Sequence, residues 1–332
     1  MLSLESNVFV RVSLSPVSGN FSLFSKLQIL HLMKIDSYHP FQSPEAKKTF
    51  LSSYDSRAKQ WPIPSETTII HTTFGSTFVR ISGPVNGAPM ILLHGHSENG
   101  LNWLPNIKDL SQDYRTYAID IISDPGRSVY TKIMKSADDY TSWLDELFDG
   151  LGLEQNINLI GLSYGGWLVS KYALKFPQRL NKIVLIAPGG IAPFPLKFIA
   201  FALFLSLFQF RSEFLFKRLT RWMFKDFLAT HEAGEEKFDD WFGFIYLGIR
   251  SYKPQPIVFA KVLSKEELQK LTIPTLFLTG ENEIVYSVPR TINRLQTLVP
   301  DIEIKVFKDA GHDLPLAQPK QVNLAILDFL KS

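Results

Sequence analysis

Cysteine is absent from the 332 residues. Its absence excludes a disulfide scaffold, a thiolate nucleophile, an iron–sulfur cluster and a zinc ribbon, and leaves the compartment open. Charge is sparse: 20% of residues are charged and the net charge is only +3. That gives no basic footprint, so no nucleic-acid partner is expected. A bilayer span needs roughly 20 apolar residues, and the uncharged part of the Phe-rich region runs only from Phe198 to Phe210. What the chain does have is 45% hydrophobic residues. Global disorder is therefore excluded, and the length is compatible with one large α/β unit.

Residues 1–33 are rich in Ser and Phe and lack the basic start of a secretory signal. The reading is an N-terminal extension over 1–66, partly disordered, with Met33 as a candidate start and a cytoplasmic location. The folded domain is expected over 67–332. Short β-branched or aliphatic runs predict eight strands: 67–73, 77–82, 90–93, 115–120, 157–160, 182–187, 275–279 and 302–307. The first two suit a hairpin, and the later ones are solidly apolar, as buried parallel strands are. Helical patterns fall near 97–111, 136–151, 164–176, 285–298 and 317–331. Alternating strands and helices imply a mostly parallel eight-stranded sheet covered on both faces. Residues 191–272 contain no convincing strand, and 13 of the 26 Phe lie between Phe194 and Phe244. Such an insertion predicts a helical cap over the sheet edge where open α/β sheets bind ligands.

Gly161-Leu162-Ser163-Tyr164-Gly165 follows a predicted strand and precedes a predicted helix. In that context G-x-S-x-G places an exposed serine on a tight turn, so Ser163 is the candidate nucleophile. His94-Gly95-His96 follows the strand at 90–93. Its loop can offer the backbone N–H of His96 to a carbonyl oxygen, with Tyr164 N–H as the second donor. The two imidazoles are expected to hydrogen-bond within the loop. His312 follows the last strand and suits a general base. A third member must hold that imidazole and stabilise its cation. Glu281 and Glu283 compete for this role after the strand at 275–279, with Glu283 preferred. No set of metal ligands is visible, and no cofactor is expected.

In order along the chain, the segments LLHGHSENGLNW, AIDIISDPGRS, LIGLSYGGW, PTLFLTGENEIVY and KDAGHDLPLAQP resemble those of the α/β-hydrolase superfamily. The likeness covers about 67–331 and points to capped carboxylesterases of bacterial type. It implies an α/β-hydrolase fold and a Ser163–His312–Glu283 triad. Two departures stand out: Glu283 replaces the usual Asp, and Ser123-Asp124 precedes Pro125-Gly126 where relatives often have a shorter turn.

Serine rather than aspartate at the turn argues against epoxide hydrolases and haloalkane dehalogenases of similar fold. A serine nucleophile attacks an acyl carbonyl and forms an acyl-enzyme. The expected partner is a small-molecule ester with an apolar acyl part. Carbon–carbon bond hydrolysis, or ligand sensing with little turnover, are the alternatives. For the cap, packing on the sheet is preferred over contact with a lipid surface.

Overall fold

All eight predicted runs become strands of a single sheet in the computed structural model, which describes residues 36–208, 212–230 and 234–332. The expected extension up to residue 35 lies outside the described residues, as do cap residues 209–211 and 231–233. The strands are β1 (Ser65–Thr72), β2 (Gly75–Ser82), β3 (Ala88–Leu93), β4 (Tyr114–Ile119), β5 (Val129–Tyr130), β6 (Ile157–Leu162), β7 (Leu180–Ile186), β8 (Thr275–Gly280) and β9 (Glu303–Phe307). β5 is the ninth strand that the sequence does not reveal, because two residues carry no periodicity. It pairs with β2 beside Gly75, where a Cβ would come within 2.2 Å of Val129 O.

The order is β1-β2-β4-β3-β6-β7-β8-β9. β1 and β2 form an antiparallel hairpin, β2 joins β4 antiparallel, and the strands from β4 to β9 run parallel. The chain leaves β3 for β4 on one side and returns to β6 on the other. Neighbouring strand ends there send their loops apart and open a crevice. Leu93 and Gly161 are partners at that point, so the His94 and Ser163 turns border the crevice. Alternation along each strand feeds two cores. Met90 and Leu92 join one cluster and Ile91 and Leu93 the other.

The helices are α1 (Pro44–Ala58), α2 (Ile107–Leu110), α3 (Ala137–Gly150), α4 (Tyr164–Lys175), α5 (Leu196–Phe208), α6 (Glu213–Met223), α7 (Lys225–Thr230), α8 (Gly234–Ser251), α9 (Lys265–Gln269), α10 (Val288–Leu298), α11 (Leu314–Ala317) and α12 (Pro319–Lys331). α3 and α4 cover one face through Trp143, Leu147, Trp167 and Leu168. α1, α8 and α12 supply the other core through Phe50, Phe242 and Ile326.

Two expectations need correction. The helix at 97–111 is a 3₁₀ turn over Gly100–Trp103 followed by α2. Pro105 has no N–H to continue a helix, and Asp120 Oδ1 takes the Gly100 N–H at 2.8 Å. Nor do residues 37–66 form an extension: Ser37–Ser332 is one compact unit. The Ser43 hydroxyl caps α1, accepting from Ala46 N at 3.1 Å. Phe50 of α1 is buried and stacks on Phe244 of α8 at 5.6 Å. The Trp61 indole donates to Ser82 Oγ at 3.0 Å. The sequence hides this because α1 buries only Phe50 and Tyr54, too few to make an apolar stripe.

Between β7 and β8 the described residues form helices and no strand. The basic and acidic stretches of the insertion pair across it: Lys217 Nζ meets Asp239 at 2.8 Å, and Arg221 pairs with Glu235. Phe201 is buried and packs on Trp222 at 4.9 Å. Leu196, Leu203 and Phe204 on the same helix stay exposed, so α5 packs along only part of its circumference. No helix among the described residues is long and apolar enough to cross a membrane.

Candidate active site

The site is built where β6 turns into α4. Ser163 sits in the turn with φ 53° and ψ −111°, a conformation that costs an L-residue free energy. The flanking glycines allow it. A Cβ on Gly161 would lie 2.4 Å from the Gly165 carbonyl, and one on Gly165 would lie 2.5 Å from Leu93 O. Three backbone bonds hold the turn. Ser163 N donates to Ile186 O at 2.9 Å, and Ser163 O accepts from Gly189 N at 3.0 Å and Trp167 N at 3.2 Å.

His312 lies between β9 and α11, and the fold carries its ring to this turn. Nε2 is 2.9 Å from Ser163 Oγ, and Nδ1 is 2.9 Å from Glu283 Oε2. Glu283 comes from the loop between β8 and α10, and its side chain is fully buried. Its Oε1 accepts from Ile284 N at 2.7 Å and Val285 N at 2.9 Å. Burial opposes charge on His312, but the neighbouring Glu283 carboxylate outweighs it and raises the imidazole above its ordinary pKa. Glu281, the competing acid, is exposed and accepts from Asp309 N at 2.9 Å, bracing the loop after β9. The structure thus brings Ser163, His312 and Glu283 together and leaves Glu281 outside.

His94 is buried. Its Nε2 accepts from Ile121 N at 2.9 Å, so the proton is on Nδ1, which donates to Gly95 O at 2.7 Å. Burial lowers its pKa and favours this neutral form. The His96 ring is half exposed and pairs with Asp124 at 3.2 Å. The backbone donors around the turns are selectively engaged. Gly95 N donates to Glu98, Ser97 N to Asp124 and Ser163 N to Ile186 O. The N–H groups of His96 and Tyr164 have no acceptor among the described residues. The Tyr164 hydroxyl donates to Val258 O at 2.8 Å, tying the start of α4 to the chain that returns from the cap.

Four further acids stand at the site, to which the sequence assigns no role. Asp124 braces the loop after β3, which gives the Ser123-Asp124 departure a structural role. Asp120 accepts from Gly100 N and from Arg127 N at 2.7 Å. Asp313, pushed up to about 6 by burial, accepts from Phe227 N of α7 at 2.8 Å and from Gly311 N at 3.2 Å. It therefore joins the cap to the His312 loop. Glu98, pushed up to about 7 by burial, sits under the loop after β3. Nothing in a linear sequence reveals these roles: partners such as Phe227 N for Asp313 and Ser97 N for Asp124 lie on other elements, and those of Glu98, Gly95 N and Asn102 Nδ2, depend on how the loop turns. Among the described residues no group of three or more His, Asp or Glu is placed to hold a metal ion.

Comparison with known proteins adds family context. Residues 90–325 match the alpha/beta hydrolase family. An uncharacterized carboxylesterase of Bacillus subtilis is 34% identical over 301 residues, covering 89% of this chain and 98% of that protein. The carboxylesterase YbfK of the same organism is also 34% identical, covering 87% and 96%. Among solved structures, naproxen esterase from Bacillus subtilis superposes with a TM-score of 0.77 at 31% identity, over 87% of this chain and 99% of that one.

Proposed function

The chain belongs to the alpha/beta hydrolase family, and from that premise we propose that it hydrolyses carboxylic esters through an acyl-enzyme on Ser163. The observation that carries this reading is the continuous relay from Ser163 Oγ through His312 to the buried Glu283 carboxylate, 2.9 Å at each step. Glu283 accepts from Nδ1–H, which leaves Nε2 unprotonated and facing Ser163 Oγ. Ser163 attacks the ester carbonyl while His312 Nε2 takes the hydroxyl proton. The negative charge that develops on the carbonyl oxygen is met by the N–H groups of His96 and Tyr164. His312 then returns the proton to the departing alcohol. Water enters, gives a proton to His312 and attacks the acyl-enzyme; as the carbon–oxygen bond to Ser163 breaks and the acid leaves, His312 returns that proton to Ser163 Oγ. The Glu283 carboxylate stabilises the imidazolium formed in both halves. The strained backbone at Ser163 keeps the hydroxyl in reach of both His312 and the two donors.

The test is turnover of a chromogenic short-chain ester together with labelling by a serine-directed phosphonate. Wild type is expected to turn over many equivalents of ester, and the phosphonate to modify Ser163 alone. Ser163→Ala should lower the rate by several orders of magnitude. Retention of activity within tenfold would overturn the assignment. A burst of one equivalent without turnover would point to a sensing protein instead, and cleavage of a ring-cleavage diketone in preference to esters would point to carbon–carbon hydrolysis.

A further inference from the structure

A cavity of about 420 Å³ lies between the cap and the turn that follows β3. Its wall is largely aromatic and aliphatic, with Phe224, Phe227, Trp241, Phe244 and Leu101 among the lining residues. Glu98 is the acid among those on the turn side. The two oxygens of Glu98 differ. Oε2 accepts from Gly95 N at 3.1 Å and from Asn102 Nδ2 at 2.9 Å. Oε1 has no donor among the described residues. A Cβ placed on Gly95 would lie 2.8 Å from Glu98 Oε2 and 3.7 Å from Ser163 Cβ. Gly95 therefore lies next to both this carboxylate and the nucleophile side chain.

Oε1 is not among the buried atoms left without a partner, so it opens onto the cavity, where a ligand's donor can reach it. We propose that Glu98 determines specificity: the cavity takes esters whose apolar body carries one hydrogen-bond donor, a hydroxyl or an ammonium group, and that donor pairs with Glu98 Oε1. This deepens the esterase reading and rests on it. The other charged groups in the wall are Arg57, Lys237 and Asp240. Arg57 is already paired with Asp240 at 2.5 Å and lies over the Phe244 ring. The aromatic lining adds attraction for an ammonium group. Glu98 itself is held near neutrality by burial and by the opposed influences of Asp124, which raises it, and His312 and His96, which lower it. Ionisation strengthens its acceptor, so selectivity for a hydroxyl-bearing ester should grow between pH 6 and 8.

The experiment compares matched esters on the full chain by pH-stat titration. The pairs are n-butyl with 3-hydroxypropyl butanoate, 3-methylbutyl with 2-(dimethylamino)ethyl butanoate, and ethyl heptanoate with ethyl 6-hydroxyhexanoate. Wild type should favour the donor-bearing member of at least one pair by roughly tenfold or more in kcat/KM, the value of a charge-assisted hydrogen bond. Glu98→Gln keeps an oxygen for Gly95 N and Asn102 Nδ2 and turns an NH₂ towards the cavity. It should remove the preference, chiefly through KM, read as the ratio of kcat/KM within each pair so that any general change in rate cancels. Absence of any preference in wild type overturns the proposal whatever the variant does, and so does a preference that survives in Glu98→Gln. Failure to hydrolyse all six esters would instead count against the esterase reading itself.

Discussion

Replacing Glu283 by Gln keeps the shape of the side chain and changes which atom meets His312. Glu283 Oε1 accepts two backbone N–H groups, from Ile284 and Val285, while Oε2 accepts from His312 Nδ1. A glutamine must leave its carbonyl oxygen on the two backbone donors, because an NH₂ there would face two N–H groups. Its NH₂ then points at His312 Nδ1. The imidazole can satisfy that donor only by accepting at Nδ1, which moves its proton to Nε2. Nε2–H now faces Ser163 Oγ and cannot take the serine proton. The wrong tautomer combines with loss of the charge that stabilises the imidazolium, and together they should cost about 10³–10⁴ in kcat, or roughly 4–5.5 kcal/mol of barrier. Glu281→Gln is the control. Its acceptor bond to Asp309 N lies on the exposed loop after β9 and can be made by a glutamine oxygen, so kcat should stay within about threefold. The assay is kcat and kcat/KM on a chromogenic short-chain ester, with near-ultraviolet circular dichroism to confirm that both variants fold. A larger loss for Glu281→Gln, or losses below tenfold for both, would refute the reasoning about Glu283.

Activity should rise with pH as His312 loses its proton, since the neutral ring accepts from Ser163; because Glu283 raises this pKa, the midpoint of kcat/KM should fall above the ordinary imidazole value near 6.5, and a midpoint below it would count against the pairing. Ser163→Gly should abolish turnover yet raise the melting temperature by about 2–4 °C, because glycine adopts φ 53° without strain worth about 1 kcal/mol; a lower melting temperature would contradict stored strain at the turn. Phe50→Ala should destabilise the protein by about 3–5 kcal/mol in urea unfolding, since Phe50 is buried against Phe244 and Tyr252. An effect below about 1 kcal/mol would restore residues 37–66 to the status of a loose extension.

The sheet was legible in the amino-acid order, because a buried parallel strand needs a solid apolar run and leaves a local trace. Runs such as Ile157–Leu162 and Thr275–Gly280 are buried along their whole length. The turn at Ser163 was legible too. Two glycines flanking a serine between a strand and a helix reflect a steric demand that is local, namely Gly161 against Gly165 and Gly165 against Leu93. Local signals failed where packing partners are distant. α1 belongs to the fold through Phe50 and Tyr54, whose neighbours Phe244 and Tyr252 lie some 200 positions away. β5 is too short to show a period, and Pro105 with Asp120 breaks a helix that the apolar pattern favoured. The choice between Glu281 and Glu283 was likewise a tertiary decision. Both follow the same strand, and only the loop's return path puts one carboxylate on His312 Nδ1 and the other on Asp309 N. Asp124 and Glu98 became site residues for the same reason: a charge is assigned its role by the donors around it, and here those donors are brought in by backbone turns that no spacing rule encodes.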